Sequence, residues 1–138
     1  MSSLPLYTRD EIHQLVHDFY REVRQHPTLG PIFDQHIHDW DSHLDIMVNF
    51  WSSLLCRDAS YSGSPMQKHA QLPQLNEAHF QMWLDLFHTT SSQHPNPQLA
   101  QQAQAYARRI ARSLWLGYQY QQQPDQLPSE LHYAKHSG

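Results

Sequence analysis

The sequence predicts an all-α domain, and three observations carry that expectation. Apolar residues recur three and four positions apart along four long segments. No segment alternates apolar and polar residues with period two. The prolines fall between the periodic segments or at the first position of one, never in an interior. A chain of 138 residues is long enough for one real core and too short for two ordinary domains. The expected organisation is one helical domain over residues 1–120 and a polar, proline-broken tail over 121–138 that frays.

The first helix is read from "TRDEIHQLVHDFYREVRQ". Thr8 followed three residues later by Glu11 is a capping-box pattern. Ile12, Leu15, Val16, Phe19, Tyr20 and Val23 then form one helical face. Pro27 and Gly30-Pro31 end it, and "PIFDQHI" reads as a short turn-like element. The second helix is "DWDSHLDIMVNFWSSLLC", with Trp40, Leu44, Met47, Phe50 or Trp51, and Leu54 at helical spacing and His43 one turn before Met47. After the loop "RDASYSGS", Ser64 is an N-cap and Pro65 a first-turn proline for a short helix that Pro73 stops near Gln71. "NEAHFQMWLDLFHTT" is the third long helix, capped by Asn76, with Phe80, Trp83, Leu84 and Phe87 on one face. "HPNP" breaks it. The last helix, "PQLAQQAQAYARRIARSLWLGYQY", is expected to turn Leu99, Ala103, Tyr106, Ile110, Leu114 and Trp115 inward.

A net charge of -4 gives no electrostatic footprint for nucleic acid. No apolar run approaches the ~20 residues of a spanning helix, so no membrane is expected. The N-terminus lacks the basic start and apolar stretch of a secretory signal. Cys56 is the only cysteine, so no intrachain disulfide forms and the cytoplasm is the expected compartment. Histidine is the outlier, with twelve in the chain. Gln-rich stretches such as "QYQQQPDQ" accompany it, so most of these histidines read as polar surface. Position, not number, must single out a ligand.

The inward residues are large and partly polar: Phe19, Tyr20, His43, Met47, Phe50, Trp51, Phe80 and Trp83. A plain bundle core favours Leu, Ile, Val and Ala, which leave no polar atoms to satisfy. A buried tyrosine hydroxyl, imidazole or indole N–H each needs a partner. One account is a core whose polar tips reach the surface. The other is a flat apolar cofactor with a polar ligand at its centre.

Four stretches decide between them. "FYREVRQHPTLGPIF", "HLDIMVNFWSSLL", "YSGSPMQKHAQLP" and "HFQMWLDLF", in this order, resemble a truncated haemoglobin of the third group, over about residues 8–118. The resemblance implies a shortened globin, with helices two-over-two around haem b (iron protoporphyrin IX). It implies that His69, in the short helix before "HFQMWL", is the proximal iron ligand. It places Tyr20 on the distal side, with His43 and, one turn further, Met47; Phe19 adjoins them, and Trp83 faces the same pocket. It implies O2 as ligand, with CO or NO, in storage, sensing, NO dioxygenation or peroxide reduction. Turnover of that kind would need a separate reductase, since the chain carries no flavin or nicotinamide motif.

A neutral imidazole is the usual globin ligand, and its free N–H normally donates to a carbonyl or carboxylate. Between Arg57 and Asn76 the only acid is Asp58, so a backbone carbonyl is the expected partner of His69. That argues against a strongly anionic, peroxidase-like imidazole. His79 is the rival ligand, but its place at a helix start beside Glu77 suits capping. Captured O2 gathers negative charge, and Tyr20 and Trp83 are donors suited to it. His43 either donates as well or swings outward and gates entry. Phe33, Phe50, Trp51, Leu72, Phe80 and Ile110 are candidate haem walls or ordinary core. Tyr61 and Lys68 are candidates for the haem carboxylates. Two other classes compete. A non-haem metal bundle would use Glu-x-x-His pairs, whereas this chain has only Asp10–His13 and Asp85–His88 at that spacing and four glutamates in all. A cofactor-free interaction module would need an exposed aromatic patch.

Overall fold

A computed structural model describes residues 7–56 and 75–133. Among them are five helices and no strand: α1 (Arg9–Gln25), α2 (Leu29–His36), α3 (Trp40–Leu55), α4 (Glu77–Ser92) and α5 (Pro97–Gln122). The short helix expected after Ser64 lies outside the described residues.

α1 starts with the expected capping box. The Thr8 hydroxyl accepts from the Glu11 N–H at 3.2 Å, and the Glu11 carboxylate accepts from the Thr8 N–H at 2.8 Å. The six apolar positions read from the sequence are all buried. α2 differs from the expected turn. It is a true helix that starts two residues earlier, although the Thr28 side chain makes no cap bond. His26 caps it instead: its Nδ1 accepts from the N–H groups of Thr28 and Leu29, both at 3.1 Å. Pro31 falls in the first turn, where a missing N–H costs nothing. The corner is tight at Gly30, where an added Cβ would lie 2.7 Å from the Arg24 carbonyl oxygen.

Asp39 caps α3 by accepting from the Ser42 N–H at 3.2 Å. The buried stripe of α3 is Val48, Trp51, Ser52 and Leu55, about one position round from the expected face. Trp40, Leu44, Met47, Phe50 and Leu54 are left half-buried. The inward face of α5 keeps Leu99 and Ala103 as expected and is otherwise corrected. Leu99, Ala100, Ala103, Ala107, Ala111 and Tyr118 are buried, whereas Tyr106, Ile110, Leu114 and Trp115 are half-buried. Small alanines let two backbones approach closely, so the alanine stripe is the face that packs.

α1 packs on α3 and on α4, α4 packs on α5, and α2 leans on α1 and α4. The result is two helix pairs, α1/α3 and α4/α5, joined where α1 crosses α4. Phe87 of α4 sits at that junction, against Phe19 of α1, Trp51 of α3 and Trp83 one turn earlier.

Beyond Gln122 the chain is not helical through residue 133, but where the sequence suggests fraying it runs back along the α4–α5 pair. Arg112 pairs with Glu130, the Gln119 amide donates to the Ser129 carbonyl at 2.8 Å, and the His132 ring meets Glu77 at 3.0 Å. Tyr133 packs against the core with its hydroxyl at Asp85, and burial with that carboxylate pushes its pKa up to about 12.

Candidate functional site

Tyr20 and Phe19 are neighbours on α1 and point to different partners. Phe19 is 1% exposed and belongs to the ring cluster at the junction, meeting Trp83 edge-on at 5.4 Å. Tyr20 is 5% exposed and turns toward α2 and α3. Its ring lies 6.2 Å from Phe33 and 5.6 Å from His43, whose ring stands perpendicular to it. Burial raises the Tyr20 pKa far above that of a free phenol, so the hydroxyl keeps its proton and remains a donor.

The residues expected on the distal side are therefore gathered. Tyr20, His43 and Phe33 share one aromatic cluster, and Phe19 links it to Trp83. Met47, one turn after His43, is half-buried against the core. Trp51 is 2% exposed and stacks on Phe87, which makes it a core residue of the described chain, with Phe50 edge-on to it at 5.9 Å. Phe80 is 7% exposed and meets Trp115 at 5.3 Å, away from the Tyr20 cluster. His69, Leu72, Tyr61 and Lys68 lie outside the described residues. His79 closes a capping box, its Nδ1 accepting from the Asn76 N–H at 3.1 Å. That bond occupies one ring nitrogen in a local structural role.

Two residues gain weight that the sequence did not give them. Trp40 was legible only as part of an apolar stripe, yet it joins Tyr20 and His43 at 6.1 and 5.6 Å. Its spacing of three from His43 was the available signal. Trp115 carries a buried indole N–H with no hydrogen-bond partner among the described residues.

These donors allow the fit of a haem to be tested. The Tyr20 ring is buried among the rings of Phe33, Trp40 and His43, and the buried Trp115 indole N–H has no partner among the described residues, although buried polar groups are nearly always paired. Aromatic walls and an unengaged buried donor suit a flat apolar group carrying a polar ligand. Among the described residues no group of three or more His, Cys, Asp or Glu converges as a bare metal site would need. No described helix is long and apolar enough to cross a membrane.

This is a helical sandwich of the globin type, and the comparisons agree. No family model matches the chain. A group 3 truncated hemoglobin from Campylobacter jejuni is 36% identical over 83 residues, a stretch that covers 57% of this chain and 65% of that relative. The crystal structure of a group III truncated hemoglobin from Campylobacter jejuni matches with a TM-score of 0.73 and 30% identity, covering 78% of this chain and 88% of that one. The chain belongs to the group III truncated haemoglobins. Membership implies haem as the cofactor and a small gaseous ligand.

Proposed function

We propose that this protein binds O2, and also CO and NO, at ferrous haem iron, with His69 as the proximal ligand and Tyr20, Trp83 and His43 around the captured gas. The observation that carries this reading is the buried phenol of Tyr20, set in an aromatic cluster with His43 and Phe33 and linked through Phe19 to the indole of Trp83. When bound, the haem supplies an iron that coordinates one protein nitrogen and one small ligand. The chain supplies the rest. Tyr20 holds its proton at the hydroxyl across the ordinary pH range and offers it to the charge that O2 accumulates. Trp83 offers a second N–H from α4. Phe33 and Phe19 close the surroundings to water, which strengthens both hydrogen bonds.

Retention of O2 follows directly from this arrangement. NO dioxygenation or peroxide reduction would draw electrons from a separate reductase. A visible absorption scan of the purified protein tests the haem assignment. A Soret band that survives His79→Ala and is lost or shifted in His69→Ala supports it. A protein that takes up no haem, or one whose band is indifferent to His69, sinks it.

A further inference from the structure

The geometry points to Trp40 as a positioning residue of the distal pocket: its indole holds His43 against Tyr20 and plugs the approach from solvent. This rests on the haem reading and adds to it what controls entry.

Trp40 is the first residue of α3, one turn before His43. The rings of His43, Tyr20 and Trp40 form a triangle, with His43 perpendicular to both others: 5.6 Å and 90° to Tyr20, 5.6 Å and 87° to Trp40, and 6.1 Å between Tyr20 and Trp40. A swing of His43 away from Tyr20 therefore also breaks its edge-on contact with the indole. The indole is itself clasped by three residues from two other helices. The Arg24 guanidinium of α1 lies over it, 4.7 Å from the ring centre. Its Nε1 donates to Asp34 Oδ1 of α2 at 3.1 Å. Phe33, next to Asp34, lies nearly parallel to it at 6.5 Å. Arg24 and Asp34 are exposed, whereas Tyr20 is almost fully buried. Trp40 thus links exposed groups at the surface to the buried Tyr20 ring, 6.1 Å away. Core packing alone would not need an N–H anchored on a surface carboxylate. Fixing the plane of one ring does.

If the clasp sets the closed population, entry scales with the open fraction. Trp40→Ala, Trp40→Phe, Asp34→Ala and Asp34→Asn are made in the full chain loaded with haem. CO association is followed by flash photolysis. The nuclear Overhauser effect between the His43 and Tyr20 rings is read in the diamagnetic CO form. Trp40→Ala is expected to speed association by about tenfold and to abolish the ring-to-ring effect. Asp34→Ala, at an exposed site that leaves the core intact, is expected to speed it by about two- to fivefold. Asp34→Asn keeps an acceptor oxygen and should restore the wild-type rate, and Trp40→Phe should keep the ring-to-ring effect.

Unchanged association in both Trp40→Ala and Asp34→Ala overturns the plug, and a ring-to-ring effect that persists in Trp40→Ala overturns the positioning. If Trp40→Ala fails to fold, the Asp34 pair decides alone. A wild-type protein without a Soret band defeats the haem reading instead. In that case the ring-to-ring effect, measured on the protein itself, still rules on whether Trp40 holds His43.

Discussion

The α4–α5 pair and the α1–α3 pair are built on different principles. The α4–α5 seam is packed around alanines and closed with hydrogen bonds. Ala100, Ala103, Ala107 and Ala111 let the helices approach, the Gln104 amide donates to Ser91 Oγ at 2.8 Å, and the Tyr118 hydroxyl accepts from the Leu75 N–H at 3.0 Å. The α1–α3 pair meets through rings, with Tyr20 buried against His43 and Trp40. One pair holds the fold and the other holds chemistry in reserve. Substitutions should therefore separate: in the seam they change stability and leave gas binding alone, and in the ring cluster they do the reverse.

The largest stability effect is expected in the seam. Ala107 is 1% exposed, and Ala107→Leu would force α4 and α5 apart at a cost of about 2–3 kcal/mol. Thermal unfolding should report it, with the gas kinetics of the surviving folded fraction unchanged. Gly30→Ala comes next. The new methyl meets backbone, which cannot step aside as a side chain could. A loss of about 1–2 kcal/mol is expected in denaturant unfolding. Because that corner carries Phe33 and Asp34, this variant should also disturb entry, which sharpens the contrast with Ala107.

Asn96→Ala is smaller, at about 1 kcal/mol. Asn96 caps α5 by accepting from the Gln98 and Leu99 N–H groups, and its Nδ2 donates to Glu11 at 3.1 Å, tying two helix starts together. Its loss should lower the midpoint of urea unfolding and spare O2 release. The smallest effect is on pH. Burial lowers the His79 and His17 pKa values below the ordinary 6.5, with His13 adding to the shift at His17. The unfolded chain then binds these protons more tightly than the folded one. Stability is complete above about pH 6.5 and declines as pH falls from there through the folded values. His79→Gln should flatten that slope in unfolding curves measured across the window.

Much of this was legible in the chain itself. The 3.6-residue period placed α1 with its six buried positions, and Thr8 and Glu11 announced its cap. Four short stretches in order gave the family. What stayed hidden depended on contacts between distant segments. α2 reads as a turn because its cap is the ring of His26, a residue type that cap preferences do not favour. The face of α5 is read only in part: Leu99 and Ala103 are buried as expected, but Ala100, Ala107 and Ala111 were missed because alanine carries little apolar signal. Trp40 was one apolar residue among several until Arg24 and Asp34 closed on it from other helices. The helix-start role of His79 was legible, since its place beside Glu77 suggested capping and its ring closes the box with Asn76.

The measurement that bears most directly on this account is O2 release from Tyr20→Phe, followed by stopped flow beside thermal unfolding. The substitution removes one oxygen from a ring whose packing is otherwise kept. A hydrogen bond to a charged acceptor contributes roughly 1.5–3 kcal/mol, so release should quicken by roughly 10–150-fold, with the unfolding midpoint scarcely moved. An unaltered release rate in a folded, haem-loaded variant would contradict the account, because the buried phenol would then have no part in holding the gas.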